Sequence, residues 1–280
     1  MLKTFARRTL GPLARRVVNV SGMTNRANHL HDEFTDMRTA LAQLSDACSE
    51  AGVLLPPPRH LQLRVVGVYA PDFLSSGGEA VDEFEAHAQS VGASLLSSPR
   101  VLDFGCGVGR ILRALSLRRG GSAGLCGTDI DAEAIRWCQK NYARLAEFSV
   151  NPHEPPMSYA DNSFDLVYSM SVFTHLPEEM QHAWLAELRR VTRPGGHLLL
   201  TYHGRDYLDR WPVTTAEKDG ALGRGFGYLD LGPTDGLPDF YRTAYHSPDY
   251  IRREWGHHFE VLDVREPGLR HGQGVALVRR

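Results

Sequence analysis

One ten-residue run, Val101 to Arg110 (VLDFGCGVGR), most constrains how this chain folds. It begins with apolar residues typical of a buried strand, continues through Asp103, and then places glycine at 105, 107 and 109. Glycine lets the backbone turn sharply and lets a ligand approach the main chain closely. An apolar helical pattern follows, and the N-terminus of a helix offers unpaired N–H groups. The run therefore predicts a strand–turn–helix unit that carries a small-molecule site.

The spacing of the glycines narrows the class of ligand. The dinucleotide fingerprint G-x-G-x-x-G/A needs a third small residue for close helix–strand packing. That position is Arg110 here, which disfavours a nicotinamide-dependent oxidoreductase. A second predicted strand begins at Leu125 and ends in Asp129, at a spacing suited to a carboxylate that meets ribose hydroxyls.

Strands and helices alternate along the middle of the chain, which favours a parallel sheet with helices on both faces. The sequence of residues 61–78 predicts a connector, and Pro194-Gly-Gly predicts a turn. The predicted strands are 101–104, 125–129, 148–151, 164–169, 197–201, 259–264 and 275–278. The predicted helices are 79–96, 110–119, 131–146, 177–191 and, opened by Ser247 and Pro248, 247–255.

With these motifs assembled, residues 95–201 resemble the class I S-adenosylmethionine-dependent methyltransferases. The resemblance implies a doubly wound, mostly parallel seven-stranded sheet with an antiparallel last strand. It implies S-adenosylmethionine as cofactor, with Asp129 at the ribose and Ile130 against the adenine. Asn151 stands where the family often has an adenine-facing acid. The other cofactor-binding residues expected by analogy are Asp103, Gly105, Cys106, Gly107, Gly109 and Ser169.

Composition sets limits on the class of protein. The chain has 280 residues, a formal net charge of −2 and four cysteines. The near-zero charge gives no support to a nucleic-acid substrate. The cysteines lack metal-ligand spacing, so we predict no metal and reduced thiols in a cytoplasmic protein. No apolar run approaches the ~20 residues that span a bilayer, and no secretory signal is evident.

We predict an N-terminal extension, residues 1–60, before a methyltransferase domain, residues 61–280. Residues 1–20 are basic and partly apolar, which fits either weak contact with an anionic membrane surface or packing on a partner. Residues 25–52 predict an amphipathic helix that forms a homodimer contact or covers the sheet. Residues 202–247 are rich in Gly, Pro and aromatics, so we predict an irregular acceptor-binding lid.

The sequence predicts methyl transfer to a small-molecule or glycan acceptor, at oxygen, with a histidine as general base. Two candidates follow strands whose carboxyl ends face the expected site, His203 after the fifth and His175 after the fourth. His246 fits a role at the start of the following helix. The alternative is a catalytically inactive protein that binds cofactor or a partner on the same fold.

Overall fold

The computed structural model describes residues 26, 29–40, 43, 54–67, 70–231, 238 and 240–280. Two compact units divide the chain, Met1–Leu55 and Pro56–Arg280. In the first, residues 29–40 are helical (α1), and the basic segment 1–20 lies outside the described residues. Within the part of the chain that is described, no helix has the length and apolar character needed to cross a membrane.

A seven-stranded sheet forms the centre of the second unit, in the order β3-β2-β1-β4-β5-β9-β8. The first five strands of that order are parallel, and β9 runs antiparallel to both β5 and β8. This arrangement confirms the predicted fold class. The strands are β1 Val101–Phe104, β2 Leu125–Asp129, β3 Glu147–Val150, β4 Phe164–Ser169, β5 Thr192–Tyr202, β8 Glu260–Arg265 and β9 Gly274–Arg279.

The strand register explains where a site can form. Val101 pairs with Leu125 on one side and with Leu166 on the other. The carboxyl ends of β1, β2 and β4 therefore reach the same edge of the sheet, where ligands of open α/β sheets bind. All four residues of β1 are buried, because helices cover both faces of the sheet.

The helices of the second unit are α2 Arg59–Val66, α3 Phe73–Ser90, α4 Arg110–Arg119, α5 Ala132–Asn141, α6 Glu178–Val191, α7 Arg205–Arg210, α8 Thr215–Arg224 and α9 Pro248–Glu254, followed by a 3₁₀ turn at Trp255–His257. The five predicted helices of this unit are present, four of them with shifted boundaries, and three further helices, α2, α7 and α8, were not predicted. The prediction of helix 131–146 was too long, because Leu145 donates its N–H to the Tyr142 carbonyl in a turn. Ser247 caps α9 with Pro248 in its first turn, as predicted.

The prediction that residues 61–78 form a connector was wrong. They contain most of α2 and the first third of α3. Gly77 lies inside α3, at the point where this helix packs directly on the first residue of α4. A Cβ at Gly77 would stand 2.5 Å from the Arg110 carbonyl oxygen, so glycine is required for that close approach.

Two predictions about the second half also need correction. Strand β5 starts at Thr192 rather than at His197, because Gly195 and Gly196 exchange backbone hydrogen bonds with Arg280. Residues 202–247 are not irregular throughout. They contain α7, α8 and an antiparallel hairpin of β6 (Phe226–Leu229) and β7 (Thr243–His246). A capping box between Thr214 and Glu217 starts α8, a short-range signal that the Gly- and Pro-rich composition obscured.

Candidate functional site

The glycine loop between β1 and α4 lines two cavities through Gly105 and Gly107. Gly105, Gly107 and Gly109 have φ angles of 85°, 53° and 70°. Residues other than glycine rarely adopt such positive φ angles. A Cβ at Gly105 would lie 2.2 Å from Val172 Cγ2. The loop therefore exposes backbone without side chains to the cavities that it lines.

Helix α2 covers this loop. Val65 packs on Gly107, where a Cβ would lie 2.7 Å from Val65 Cγ2. Arg64 holds the helix in place through ion pairs of 3.0 Å to Asp131 and 2.8 Å to Glu133. Helix α2 was not predicted as part of the site. Its signal was the four-residue spacing of Leu61 and Val65 directly after the prolines at 56–58.

A largely apolar cavity extends from the loop along the ends of β2 and β3. The Asp129 carboxylate lines it and accepts hydrogen bonds from the backbone N–H groups of Gly107 (2.7 Å) and Asp131 (2.8 Å). Burial raises the pKa of Asp129, opposed by those hydrogen bonds. Ile130 and Asn151 line the same cavity. Asn151 is oriented by Thr128 Oγ1, 3.0 Å from its Oδ1, and by the Pro152 carbonyl, 2.9 Å from its Nδ2.

A second cavity lies on the other side of Gly105, against α3 and α4. Asp103, Cys106 and Arg110 line it. Burial raises the pKa of Asp103 to about 7, and Tyr168 donates a 2.9 Å hydrogen bond to its Oδ2. Burial also raises the pKa of the Cys106 thiol, so at neutral pH this cysteine is a protonated lining residue rather than a nucleophile.

The structure does not bring Ser169 to either cavity among the residues described. Its side chain is fully buried and its Oγ has no hydrogen-bond partner there. Ser171, two residues later, lines both cavities instead. It has a φ of 62°, donates its N–H to Thr201 Oγ1 (2.7 Å), and its Oγ accepts from Gln273 Nε2 (2.7 Å). Ser171 was not predicted as a site residue, because a positive φ at a serine leaves no signal in the sequence.

His175 lies beside the apolar cavity and stacks on Tyr241, a lining residue, with ring centroids 4.0 Å apart. Its Nδ1 is 2.8 Å from the Arg242 carbonyl oxygen. A carbonyl can only accept, so Nδ1 carries the proton and the neutral ring keeps its lone pair on Nε2. Burial lowers the pKa of His175 to about 4, which leaves the ring neutral at pH 7.

His203 is packed more tightly. It is 7% exposed, stacks on Tyr207 at 4.1 Å and meets Trp211 edge-on at 5.3 Å. Its Nε2 lies 3.4 Å from Gln273 Nε2, and its Nδ1 has no partner among the described residues. Burial lowers the pKa of His203 to about 2. The side chain supports the lid and is linked to Ser171 through Gln273.

His246 is buried under the hairpin and fastens it to α6. Its Nε2 lies 2.8 Å from Gln181 Oε1. Gln181 directs its Nε2 to the carbonyls of Phe173 and Leu176, so Oε1 is the acceptor and His246 Nε2 carries the proton. This contact is structural and lies away from the two cavities.

The site fits an adenosine-containing amino-acid cofactor. The glycine loop lies between two cavities. The first has an apolar wall and the Asp129 carboxylate, and the second is lined by both carboxylate and guanidinium groups. When bound, S-adenosylmethionine supplies an electrophilic methyl group. Within the described residues no cluster of His, Cys, Asp or Glu could hold a metal ion.

Comparison with known proteins agrees with this geometry. Residues 102–200 match the family described as "Methyltransferase domain". The biotin biosynthesis bifunctional protein of Bordetella avium is 33% identical over 128 residues, which are 45% of this chain and 27% of that protein. A malonyl-[acyl-carrier protein] O-methyltransferase of Hahella chejuensis is 30% identical over 131 residues, 45% of this chain and 46% of that one. The chain thus spans less than half the length of these curated relatives.

Solved structures show the same fold. The magnesium protoporphyrin IX methyltransferase of Synechocystis, solved with bound S-adenosylhomocysteine, superposes with a TM-score of 0.52 at 19% identity, over 85% of this chain and 99% of that one. A protein from Pyrococcus horikoshii gives 0.52 at 17% identity, over 75% and 92%. Taken together, the family match across β1 to β5 and these structures show that this part of the chain has the class I methyltransferase fold.

Proposed function

We propose that this chain transfers a methyl group from S-adenosylmethionine to a hydroxyl of a small-molecule or glycan acceptor, and that His175 is the general base. The observation that carries the proposal is the tautomer of His175. Its Nδ1–H is held by the Arg242 carbonyl, which leaves the Nε2 lone pair to accept a proton from a hydroxyl. The ring stacks on Tyr241, which lines the cofactor cavity.

The residues of the chain would share the work as follows. Asp129, Ile130 and Asn151 hold the nucleoside, and the glycine loop exposes its backbone N–H groups. Phe240 and Tyr241, which also line the apolar cavity, cover the site from the lid and exclude water. The acceptor must be held within about 3–3.5 Å of the reacting carbon and in line with it. As the proton arrives at His175, the Arg242 carbonyl stabilises the resulting imidazolium.

His175 is favoured over His203 for a geometric reason. The ring of His203 is enclosed by Tyr207, Trp211 and Gln273, so a substrate hydroxyl has little access to it. We therefore propose that His203 positions the lid and Ser171. We propose oxygen as the acceptor atom because a hydroxyl must lose its proton to a base as it attacks. An uncharged amine already has a lone pair available and needs no base before attack.

The test is methyl transfer from labelled S-adenosylmethionine to a panel of hydroxylated metabolites and oligosaccharides. His175→Asn is the informative variant, because asparagine keeps a donor for the Arg242 carbonyl and lacks Nε2. General-base catalysis contributes roughly 10²–10⁴-fold, so kcat should fall by at least about 100-fold with unchanged cofactor affinity. His203→Asn is the matched control. The proposal would be contradicted if the label were found on nitrogen or carbon, or if His175→Asn had a normal rate. Cofactor binding without transfer to any acceptor would favour the alternative of a catalytically inactive protein.

A further inference from the structure

Helix α1 has an exposed apolar face. Leu30, Phe34 and Met37 follow one another at steps of four and three residues, so they lie on the same side of the helix. They are 64%, 59% and 57% exposed, and the other residues of α1 are exposed as well. A helix in a protein gains most of its stability by packing an apolar face, and a contiguous exposed apolar patch commonly marks an interaction site. The face therefore predicts a partner.

The sequence around this face has the spacing of a coiled coil. Apolar residues alternate between steps of four and three over residues 23–48: Met23, Ala27, Leu30, Phe34, Met37, Leu41, Leu44 and Cys48. Written as a heptad abcdefg, they occupy every a and d position for more than three heptads, the length at which the pattern indicates a coiled coil. Within residues 26–40, four of the five e and g positions are polar: Arg26, His31, Glu33 and Arg38. The apolar stripe is therefore narrow, as in a coiled-coil seam, whereas a helix that covers a sheet has a broader one.

The charges beside the seam are complementary to a second copy of the same chain. In a parallel coiled coil, a g residue lies near the e residue of the next heptad on the other helix. Glu33 at g would therefore face Arg38 at e of the second copy, and the twofold symmetry of a homodimer repeats this ion pair. In its own chain Glu33 Oε1 lies 3.8 Å from His29 Nε2, a distance that leaves the carboxylate available. Arg26 and His31 form the other pair, which carries one charge when histidine is neutral.

An antiparallel arrangement fits these charges less well, because it sets g against g and e against e. At the register that overlaps residues 23–48 completely, Glu33 would lie near Ala40 and Arg38 near His31, so neither gains an opposite charge. We propose that this chain forms a parallel homodimer through a two-stranded coiled coil, in which the apolar face of α1 packs on the same face of a second copy. The dimer does not depend on the proposed methyl transfer.

The first test is sedimentation velocity of the full-length protein over a series of concentrations. The wild type should sediment as a species of twice the 31.2 kDa of one chain. Phe34→Glu places a charge in the seam of both helices and should raise the Kd of the dimer at least about a hundredfold. Leu117→Glu is the matched control, because Leu117 is an exposed apolar residue of α4, and it should stay dimeric. All four tryptophans lie in the second unit, so an unchanged fluorescence spectrum shows that this unit is folded in each variant.

A charge exchange then tests the identity and the orientation of the partner. Glu33→Arg and Arg38→Glu each set like charges opposite one another at both symmetric pairs, so each variant alone should dimerise about tenfold more weakly or worse. An equimolar mixture of the two should recover the wild-type affinity as a heterodimer, because each arginine again faces a glutamate. Asp32→Arg makes the same change of charge at the f position, away from the seam, and should leave the dimer intact.

The other outcomes overturn the inference. A wild type that stays monomeric at every concentration excludes a second copy as the partner of α1, and a lower unfolding temperature in monomeric Phe34→Glu would show that α1 covers its own sheet instead. A dimer that survives Phe34→Glu forms through another surface. A mixture of the two charge variants that fails to dimerise contradicts the parallel pairing of Glu33 with Arg38. Each of these results leaves the proposed methyl transfer to its own test.

Discussion

Replacing His246 by glutamine should make the protein less sensitive to acid. His246 is fully buried, surrounded by the rings of Phe226, Tyr250 and Trp255. Its Nδ1 has no hydrogen-bond partner there, so protonation would place an unpaired N–H and a charge in an apolar site. Burial accordingly lowers the pKa of His246 to about 3.

The sign and size of the effect follow from linkage. The pKa of an unfolded histidine is about 6.5, above the folded value, so the unfolded chain binds the proton first. The stability that the neutral ring contributes is fully present above pH 6.5 and is lost as the pH falls toward 3. Each pH unit below 6.5 costs about 1.4 kcal/mol, so His246 alone should remove about 2 kcal/mol between pH 7 and pH 5.

Urea unfolding at pH 7 and pH 5, followed by tryptophan fluorescence, measures this difference. His246→Gln keeps a donor for Gln181 and cannot titrate, so its free energy of unfolding should fall less between the two pH values than that of the wild type, by about 2 kcal/mol. Repacking should cost the variant about 1 kcal/mol at pH 7. His257→Gln, at an exposed position, controls for the loss of a histidine. The same acid-induced loss in His246→Gln as in the wild type would refute the reasoning.

Three further predictions concern the site. Asp129→Ala should weaken S-adenosylmethionine binding about tenfold or more by calorimetry in a chain that still folds, with a lowered unfolding temperature because the N–H groups of Gly107 and Asp131 lose their acceptor; unchanged affinity would remove Asp129 from the ribose contact. Gly107→Ala should weaken binding because its Cβ displaces Val65. Adding Val65→Ala should restore part of that affinity, and no restoration would indicate that the positive φ rather than the clash is at fault. Because the pKa of His175 is about 4, kcat/KM should stay level from pH 8 to about pH 5 and fall as the pH approaches 4, whereas a break near pH 6.5 would exclude His175 as the base.

Residues 101–170 were predictable because their signals are local. The buried strands β1 and β4 are short apolar runs with a turn after each, and the glycines of the loop need their positive φ angles wherever the chain folds. Asp129 could be placed beside Gly107 because neighbouring parallel strands bring their carboxyl ends together. Each of these inferences depends on residues within one βαβ unit.

The structure of residues 202–247, and the geometry on which we propose His175 rather than His203 as the base, were not predictable because they depend on distant partners. His175 acquires its tautomer from the carbonyl of Arg242, 67 positions away. The sequence favoured His203 over His175, and the packing of Tyr207 and Trp211 around His203 argues the other way. The sequence around a histidine does not show whether a helix later in the chain, here α7, will cover its ring.

Ser171 explains how the two parts of the site are joined. A residue other than glycine at positive φ costs about 1–3 kcal/mol, so the surrounding structure must fix it there. Thr201 on β5 and Gln273, next to β9, both hold Ser171, and Gln273 also contacts His203 at the base of the lid. Strands β4, β5 and β9 are adjacent in the sheet, so the rigid sheet sets the point at which the two cavities meet. The lid can then differ between proteins that share the glycine loop without disturbing that point, which is consistent with family similarity that ends at residue 200.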